Sequence, residues 1–289
     1  MTITLLQAYV YAQKNNTKKS FSVNIEGLDI EYEIYGKGKA VLMLHGFSID
    51  RTVMKNCMEP VFAKKKGYKR IYFDLPGMGK TKGSDKINNS DDILILLEKF
   101  VEIVIPNENY LVVGESYGGY LTRGLVYKDS DNVDGVLLIC PLIIADDSKR
   151  NVAKGRTFYS NKDLYKTLNQ REKQLIRLLV VQSEKNWKRL KKEFVSDKGN
   201  WEFRKKIRTV ENYQYSFDVD KLSAKFDKPS LIIAGRQDFL VGYKDIYDFL
   251  DYYPRATFAI LDRAGHFAQI EQEELFNALA IEWLERLEK

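Results

Sequence analysis

The sequence predicts an α/β fold, a mostly parallel central sheet flanked by helices, with one inserted helical block. Three observations predict it. Short, continuously apolar runs alternate with helical patterns along most of the chain, as expected of strands covered on both faces by crossover helices. The alternation stops over residues 145–225, where aromatics are interleaved with charge and no clear buried strand is present. It resumes after residue 225 and continues to the end of the chain.

Taken in order, residues 21–25 and 28–35 read as a hairpin turning on Glu26-Gly27. Residues 40–44, AVLML, form an apolar run suited to a strand buried on both faces. Runs of the same kind occupy 70–73, 110–113, 136–139, 230–234 and 257–261. Helical patterns fall at 91–104, 117–127, 245–251 and 271–287. In the last, Leu275, Leu279 and Trp283 recur every fourth residue, which marks one buried face. Within the interruption, 164–181 and 185–203 have helical patterns. The core is therefore assigned to residues 20–144 and 226–289, the helical insertion to 145–225, and residues 1–19 to an N-terminal extension. Right-handed crossovers bring the loops that follow parallel strands to one sheet edge, where a site is expected.

Composition narrows the function. A chain of 289 residues with 44% hydrophobic residues can bury one sizeable core. Its two cysteines, Cys57 and Cys140, lie far apart and are expected as free thiols in a reducing compartment. The first residues lack the basic start of a secretory signal, and no apolar stretch approaches the roughly 20 residues of a membrane span. A soluble, cytoplasmic protein is expected. The formal charge of +6 resides in the insertion, which holds 21 Lys and Arg against 11 Asp and Glu. Clusters such as Lys188-Arg189 and Arg204-Lys205-Lys206 have acids nearby and read as solvated helix faces, so no nucleic-acid partner is expected. The same charge suits steering of an anionic small molecule. A module that binds anionic ligands through this insertion without turnover is the competing class.

The chemistry-bearing residues follow predicted strands. Gly114-Glu115-Ser116-Tyr117-Gly118-Gly119 closes the run at 110–113 and opens a helix. A serine in so sharp a turn needs glycine two residues before and after it, and its hydroxyl stands above the sheet edge as a candidate nucleophile. Serine needs a base, and His266 follows the run at 257–261. Asp238 follows the run at 230–234 and is the candidate acid that orients the imidazole, with Asp218 and Asp220 as weaker substitutes. His45-Gly46-Phe47 follows the run at 40–44, and the backbone amides of Phe47 and Tyr117 are the candidate oxyanion donors. His45 is expected to brace this loop or touch substrate. Two histidines and no paired cysteines give a metal site little support, and no cofactor is expected. Gly79-Lys80-Thr81 resembles the end of a phosphate loop, but Asp74 replaces its first glycine and Pro76 removes an amide donor.

The segments HGF (45–47), DLPGMGKT (74–81), GESYGG (114–119), GRQD (235–238) and AGH (264–266) resemble the α/β-hydrolase superfamily in order and spacing. The resemblance covers residues 20–144 and 226–289. It implies the α/β-hydrolase fold, a triad of Ser116, Asp238 and His266, an oxyanion hole from Phe47 and Tyr117, and a helical cap after the sixth strand. The expected activity is hydrolysis of a small carboxylic ester or lactone through an acyl-enzyme. A proline-iminopeptidase-like amidase ranks second and carbon–carbon bond hydrolysis third. Glu115 departs from the pattern, since ester and carbon–carbon bond hydrolases often carry His or Asn there. Its string Glu-Ser-Tyr resembles serine carboxypeptidases, without their secretory, disulfide-rich character. Glu115 is expected to pair with a nearby lysine or to bind a polar group of the substrate. A serine rather than aspartate nucleophile argues against dehalogenase-type and epoxide-hydrolase-type chemistry.

Overall fold

In the computed structural model, which describes residues 19–194 and 199–288, the strands are β1 (Lys19–Ile25), β2 (Leu28–Tyr35), β3 (Lys39–Leu44), β4 (Tyr68–Phe73), β5 (Tyr110–Glu115) and β6 (Val133–Ile139), followed by the two-residue β7 (Tyr159–Ser160) and β8 (Val181–Gln182), then β9 (Ser230–Gly235) and β10 (Ala256–Leu261). All but β7 and β8 form one sheet in the order β1-β2-β4-β3-β5-β6-β9-β10. Strand β2 runs antiparallel to both β1 and β4, and every later pairing is parallel. The β1–β2 turn works because Glu26 and Gly27 both take positive φ, 53° and 90°, the turn hand that matches strand twist.

The apolar run of β3 splits between two cores by the two-residue period of a strand. Ala40, Leu42 and Leu44 face one side of the sheet, Val41 and Met43 the other. Helix α1 (Thr52–Lys64) covers the second side, through Val53, Met54, Cys57, Met58, Val61 and Phe62. On the first side lie α2 (Ser90–Val104), with Leu94, Leu97 and Phe100, and α3 (Tyr117–Asp129), with Leu121 and Leu125. Helix α2 starts at Asn89, whose side chain accepts the Asp92 amide, with Asp91 and Asp92 complementing the helix dipole.

Between β6 and β9 the structure is more broken than the two long helical patterns predict. It contains α4 (Lys162–Thr167), α5 (Gln170–Ile176), α6 (Glu184–Phe194), α7 (Trp201–Ile207) and α8 (Val210–Tyr213). Capping side chains cut the pattern: Asn161, Asn169, Asn200 and Thr209 each accept an amide at a helix start. Residues 195–198, within the second expected helix, lie outside the described residues.

Three further expectations need correction. No helix was expected at α1, although its buried residues recur with helical spacing around Pro60. The expected helix at 245–251 is two 3₁₀ turns, Lys244–Asp248 and Leu250–Tyr252, as short segments often are. The pattern at 271–287 breaks at Gln272 into α9 (Ala268–Glu271) and α10 (Glu273–Leu287). The buried face of α10 is Phe276, Ala280, Trp283 and Leu284, while Leu275 is 46% exposed. A strict spacing of four drifts around the helix axis, because a turn takes 3.6 residues.

Among the described residues no helix is long and apolar enough to cross a membrane, and both cysteines are free and buried. Trp283 is the largest fully buried side chain, and its indole donates to the Pro229 carbonyl at 3.0 Å, tying α10 to the entry of β9. Trp283→Ala is expected to lower unfolding free energy by about 3–5 kcal/mol, measured by urea titration.

Candidate active site

Ser116 sits between the last residue of β5 and the first of α3, with φ 53° and ψ −116°. A side-chain-bearing residue held there costs about 1–3 kcal/mol of strain, so its neighbours must over-determine it. They do. The Ser116 amide donates to the Ile139 carbonyl at 2.9 Å. The Ser116 carbonyl accepts from Gly119, Tyr120 and Leu142, at 2.9, 3.2 and 2.9 Å. Any side chain at Gly114 or Gly118 would collide with backbone: a Cβ would lie 2.3 Å from the Gly118 oxygen in the first case and 2.1 Å from the Leu44 oxygen in the second.

His266 arrives from the loop after β10, and Asp238 from the turn after β9. The Asp238 carboxylate is fully buried, and its Oδ1 accepts the amides of Leu240 and Val241 at 2.8 and 3.0 Å. Its Oδ2 lies 2.8 Å from His266 Nδ1, and His266 Nε2 lies 2.9 Å from Ser116 Oγ. The acid therefore fixes the tautomer: Nδ1 carries the proton, and Nε2 is left to accept from the serine. Burial disfavours the imidazolium, but the charge and hydrogen bond of Asp238, with the nearby Glu115, outweigh it and raise the His266 pKa above 6.5.

The loop carrying His266 is held by two residues that sequence patterns did not single out for this role. Gln237 accepts the Ala264 amide at 3.1 Å and donates to Asp262 at 2.9 Å. Glu271 accepts three amides, from Val180 at 2.6 Å, Val181 at 2.7 Å and Gly265 at 2.7 Å. It thereby joins the histidine loop to β8. Its only sequence signal is an acid in the short helix after AGH, which geometry alone makes specific.

The remaining expected residues divide sharply. Phe47 lines the same cavity as Ser116, its ring edge-on to Tyr117 at 5.4 Å, and Tyr117 opens α3, where its own amide precedes the first intrahelical hydrogen bonds. Glu115 is 1% exposed, and no lysine partner is found for it among the described residues. Its Oε2 has no hydrogen-bond partner, and burial raises its pKa from 4.5 to about 7. The expectation of a lysine pair is corrected accordingly. His45, expected either to brace its loop or to touch substrate, is fully buried: Nε2 accepts the Leu75 amide at 3.0 Å and Nδ1 donates to the Gly46 carbonyl at 2.7 Å. It is a brace between β3 and the segment after β4, not a substrate contact. Asp220 pairs with Arg123 and Asp218 with Lys221, so neither substitutes for Asp238. Asp74, in the phosphate-loop lookalike, accepts the Lys80 amide at 2.9 Å and binds Arg51 at 2.8 Å, closing that loop to phosphate.

A cavity of about 430 Å³ opens over Ser116 and His266. Phe47, Tyr213, Phe239 and Phe267 give it aromatic walls, and Arg150 and Arg208 come from the segment after β6. Arg150 donates to carbonyls, those of Ile144, Ala145 and Leu240, and among the described residues to no carboxylate. Arg208 lies over the Tyr213 ring at 4.3 Å and 3.6 Å from Asp147. Burial and the neighbouring Arg208 both depress the Arg150 pKa, the mark of two cations held together. Cys140, Asp238 and His266 could converge on a cation, but burial holds the Cys140 thiol protonated and the other two engage each other. The arrangement equips Ser116 with a proton acceptor, an oriented base and adjacent amide donors.

Glu271→Ala leaves three amides without their acceptor. It is expected to lower unfolding free energy by about 2–4 kcal/mol and ester turnover more than about tenfold, while Glu271→Gln loses less of both. Thermal unfolding and initial rates on 4-nitrophenyl acetate check this.

Comparisons with known proteins agree with this architecture. A sequence model described as the alpha/beta hydrolase fold matches residues 39–273. The 2-hydroxy-6-oxo-6-(2'-aminophenyl)hexa-2,4-dienoic acid hydrolase of Metapseudomonas resinovorans is 22% identical over 273 residues, covering 91% of this chain and 90% of its own length. The crystal structure of an alpha/beta superfamily hydrolase from Oenococcus oeni PSU-1 superposes with a TM-score of 0.84 at 27% identity, covering 94% of this chain and all (100%) of that one. A thermophilic esterase from Thermogutta terrifontis shares the fold at a TM-score of 0.68 and 19% identity, over 94% of this chain and 100% of its own. With a glycine-flanked serine turn between β5 and α3 on a mostly parallel eight-stranded sheet, and a family match over most of its length, this chain belongs to the α/β-hydrolase family.

Proposed function

We propose that the protein is a serine hydrolase that cleaves a small carboxylic ester or lactone through an acyl-enzyme intermediate. The observation that carries this reading is the unbroken relay from Asp238 through His266 to Ser116, with spacings of 2.8 and 2.9 Å, beneath an open cavity. Ser116 attacks the carbonyl while His266 takes its proton, and Asp238 stabilises the imidazolium. The amides of Phe47 and Tyr117 hold the oxyanion. His266 returns the proton to the leaving group, and water then repeats the sequence to release the acid. The helical segment between β6 and β9 acts as a cap that shapes the substrate pocket.

The substrate carries a negative charge. Supporting this are Arg150 and Arg208 on the cavity wall, two guanidinium groups whose one carboxylate partner among the described residues is the exposed Asp147. An anionic group between them would relieve their repulsion. A second reading, hydrolysis of an oxo-dienoic acid, is favoured by the same pair together with the Metapseudomonas resinovorans relative, whose name specifies such an acid.

Wild-type protein is expected to react with a fluorophosphonate probe, and Ser116→Ala to remain unlabelled; labelling that survives the substitution sinks the assignment. Among activated esters, the 4-nitrophenyl monoester of glutaric acid is expected to exceed 4-nitrophenyl pentanoate in kcat/KM by about tenfold at low salt. Arg208→Ala should erase that preference with little effect on the neutral ester.

A further inference from the structure

Glu115 has no part in the relay as described, yet it occupies the most restrictive position near it. Its Oε1 lies 3.8 Å from His266 Nε2, the atom that receives the serine proton, while Asp238 holds Nδ1 at 2.8 Å. An imidazolium formed there lies between two carboxylates. Oε2 has no hydrogen-bond partner, and the residue is 1% exposed. A buried carboxylate without a counter-ion is costly, so a chain that keeps one next to its nucleophile gains from it elsewhere. Backbone geometry is shaped around it as well: a Cβ at Gly46 would stand 2.3 Å from Oε2 and 3.1 Å from Ser116 Cβ.

We propose that Glu115 is a positioning residue acting through His266, its carboxylate sharing with Asp238 the charge that the imidazole acquires during turnover. This rests on the Ser116–His266–Asp238 reading above. The groups around Glu115 leave His266 as its cation. The Gly46 amide favours its ionisation but carries no charge, while Glu193 on α6 and Asp238 after β9 oppose it. Cys57 on α1 and Cys140 after β6 are thiols kept protonated by burial. Tyr213 on α8 is likewise held neutral, with Glu115 contributing. Arg150 acts against protonation of His266 from across the cavity.

Burial carries the Glu115 pKa to about 7, that of His266 is raised above 6.5, and at 3.8 Å the protonation of each depends on the other. They then hold their protons jointly. When a single proton is present it divides between carboxyl and imidazole, and the form with the proton on Glu115 keeps His266 free to act as base. When Ser116 transfers its proton to Nε2, an ionised Glu115 stabilises the product of that step; no proton or electron is gained from outside.

The sign follows directly. A carboxylate beside an imidazolium raises the imidazole pKa, and activity is lost as pH falls through it. Glu115→Gln is expected to move the acid limb of kcat/KM down by roughly one pH unit and to reduce it to a single ionisation. A limb unchanged in position and shape overturns the proposal, because a purely structural role would lower rate or stability without moving a pKa. A measurement on wild-type protein makes the test independent of how the variant folds. The chain has only two histidines, and burial lowers the pKa of His45 while that of His266 is raised, so the signal that titrates at the higher pH in an NMR series from pH 5 to 9 is that of His266. That signal is expected to show two inflections, and a single inflection overturns the proposal. Ester turnover by Ser116→Ala would instead defeat the hydrolase reading itself, leaving the histidine titration still interpretable.

Discussion

The backbone at Ser116 is held at a positive φ that its side chain disfavours, and the rest of the site takes its coordinates from that turn. The strain is sustained by the Ile139 carbonyl on one side and by three amides on the Ser116 carbonyl on the other. One of those amides belongs to Leu142, just beyond β6, so the Ser116 turn and the neighbouring strand end are locked together. Since β6 pairs with β9 and β9 with β10, the same lock fixes the strand ends that carry Asp238 and His266. Parallel pairing turns one strained residue into a common reference for three loops far apart in sequence.

Charge is arranged around that reference in opposition. Close to the imidazole lie Asp238 and Glu115, both fully or nearly fully buried; on the cavity wall lie Arg150 and Arg208. The carboxylates favour a proton on His266, while Arg150 opposes it. Of the described Lys and Arg residues of the insertion, these two arginines line the cavity. Several of the others, such as Lys188 with Glu184 and Lys191 with Glu172, pair with acids on the surface. Such exposed pairs contribute little to stability.

The parts of the molecule governed by local rules were legible in its residues. Strands buried on both faces leave apolar runs, and a serine turn that admits no Cβ on either side leaves glycines at 114 and 118. The spacing of Asp238 and His266 after their strands carried over directly into the relay. What the sequence concealed is what depends on distant contacts. Gly46, distant in sequence, packs against the Glu115 carboxylate, and nothing in the string GESYGG separates it from an exposed acid. The insertion misled for a local reason, since its Asn caps start new helices inside what hydrophobic spacing joins into longer ones. For α10, counting by fours chose Leu275 where the true period chooses Phe276.

Glu271 gives this geometry a mechanical meaning. One of its oxygens holds the amides of Val180 and Val181, and the other holds Gly265, immediately before the base. Leu178, two residues ahead of Val180, is part of the cavity wall. This part of the cavity wall and the loop that carries His266 are thus tied to a single carboxylate. Any displacement of that wall either drags Gly265 with it or breaks those bonds, so its movement is coupled to the loop that carries His266.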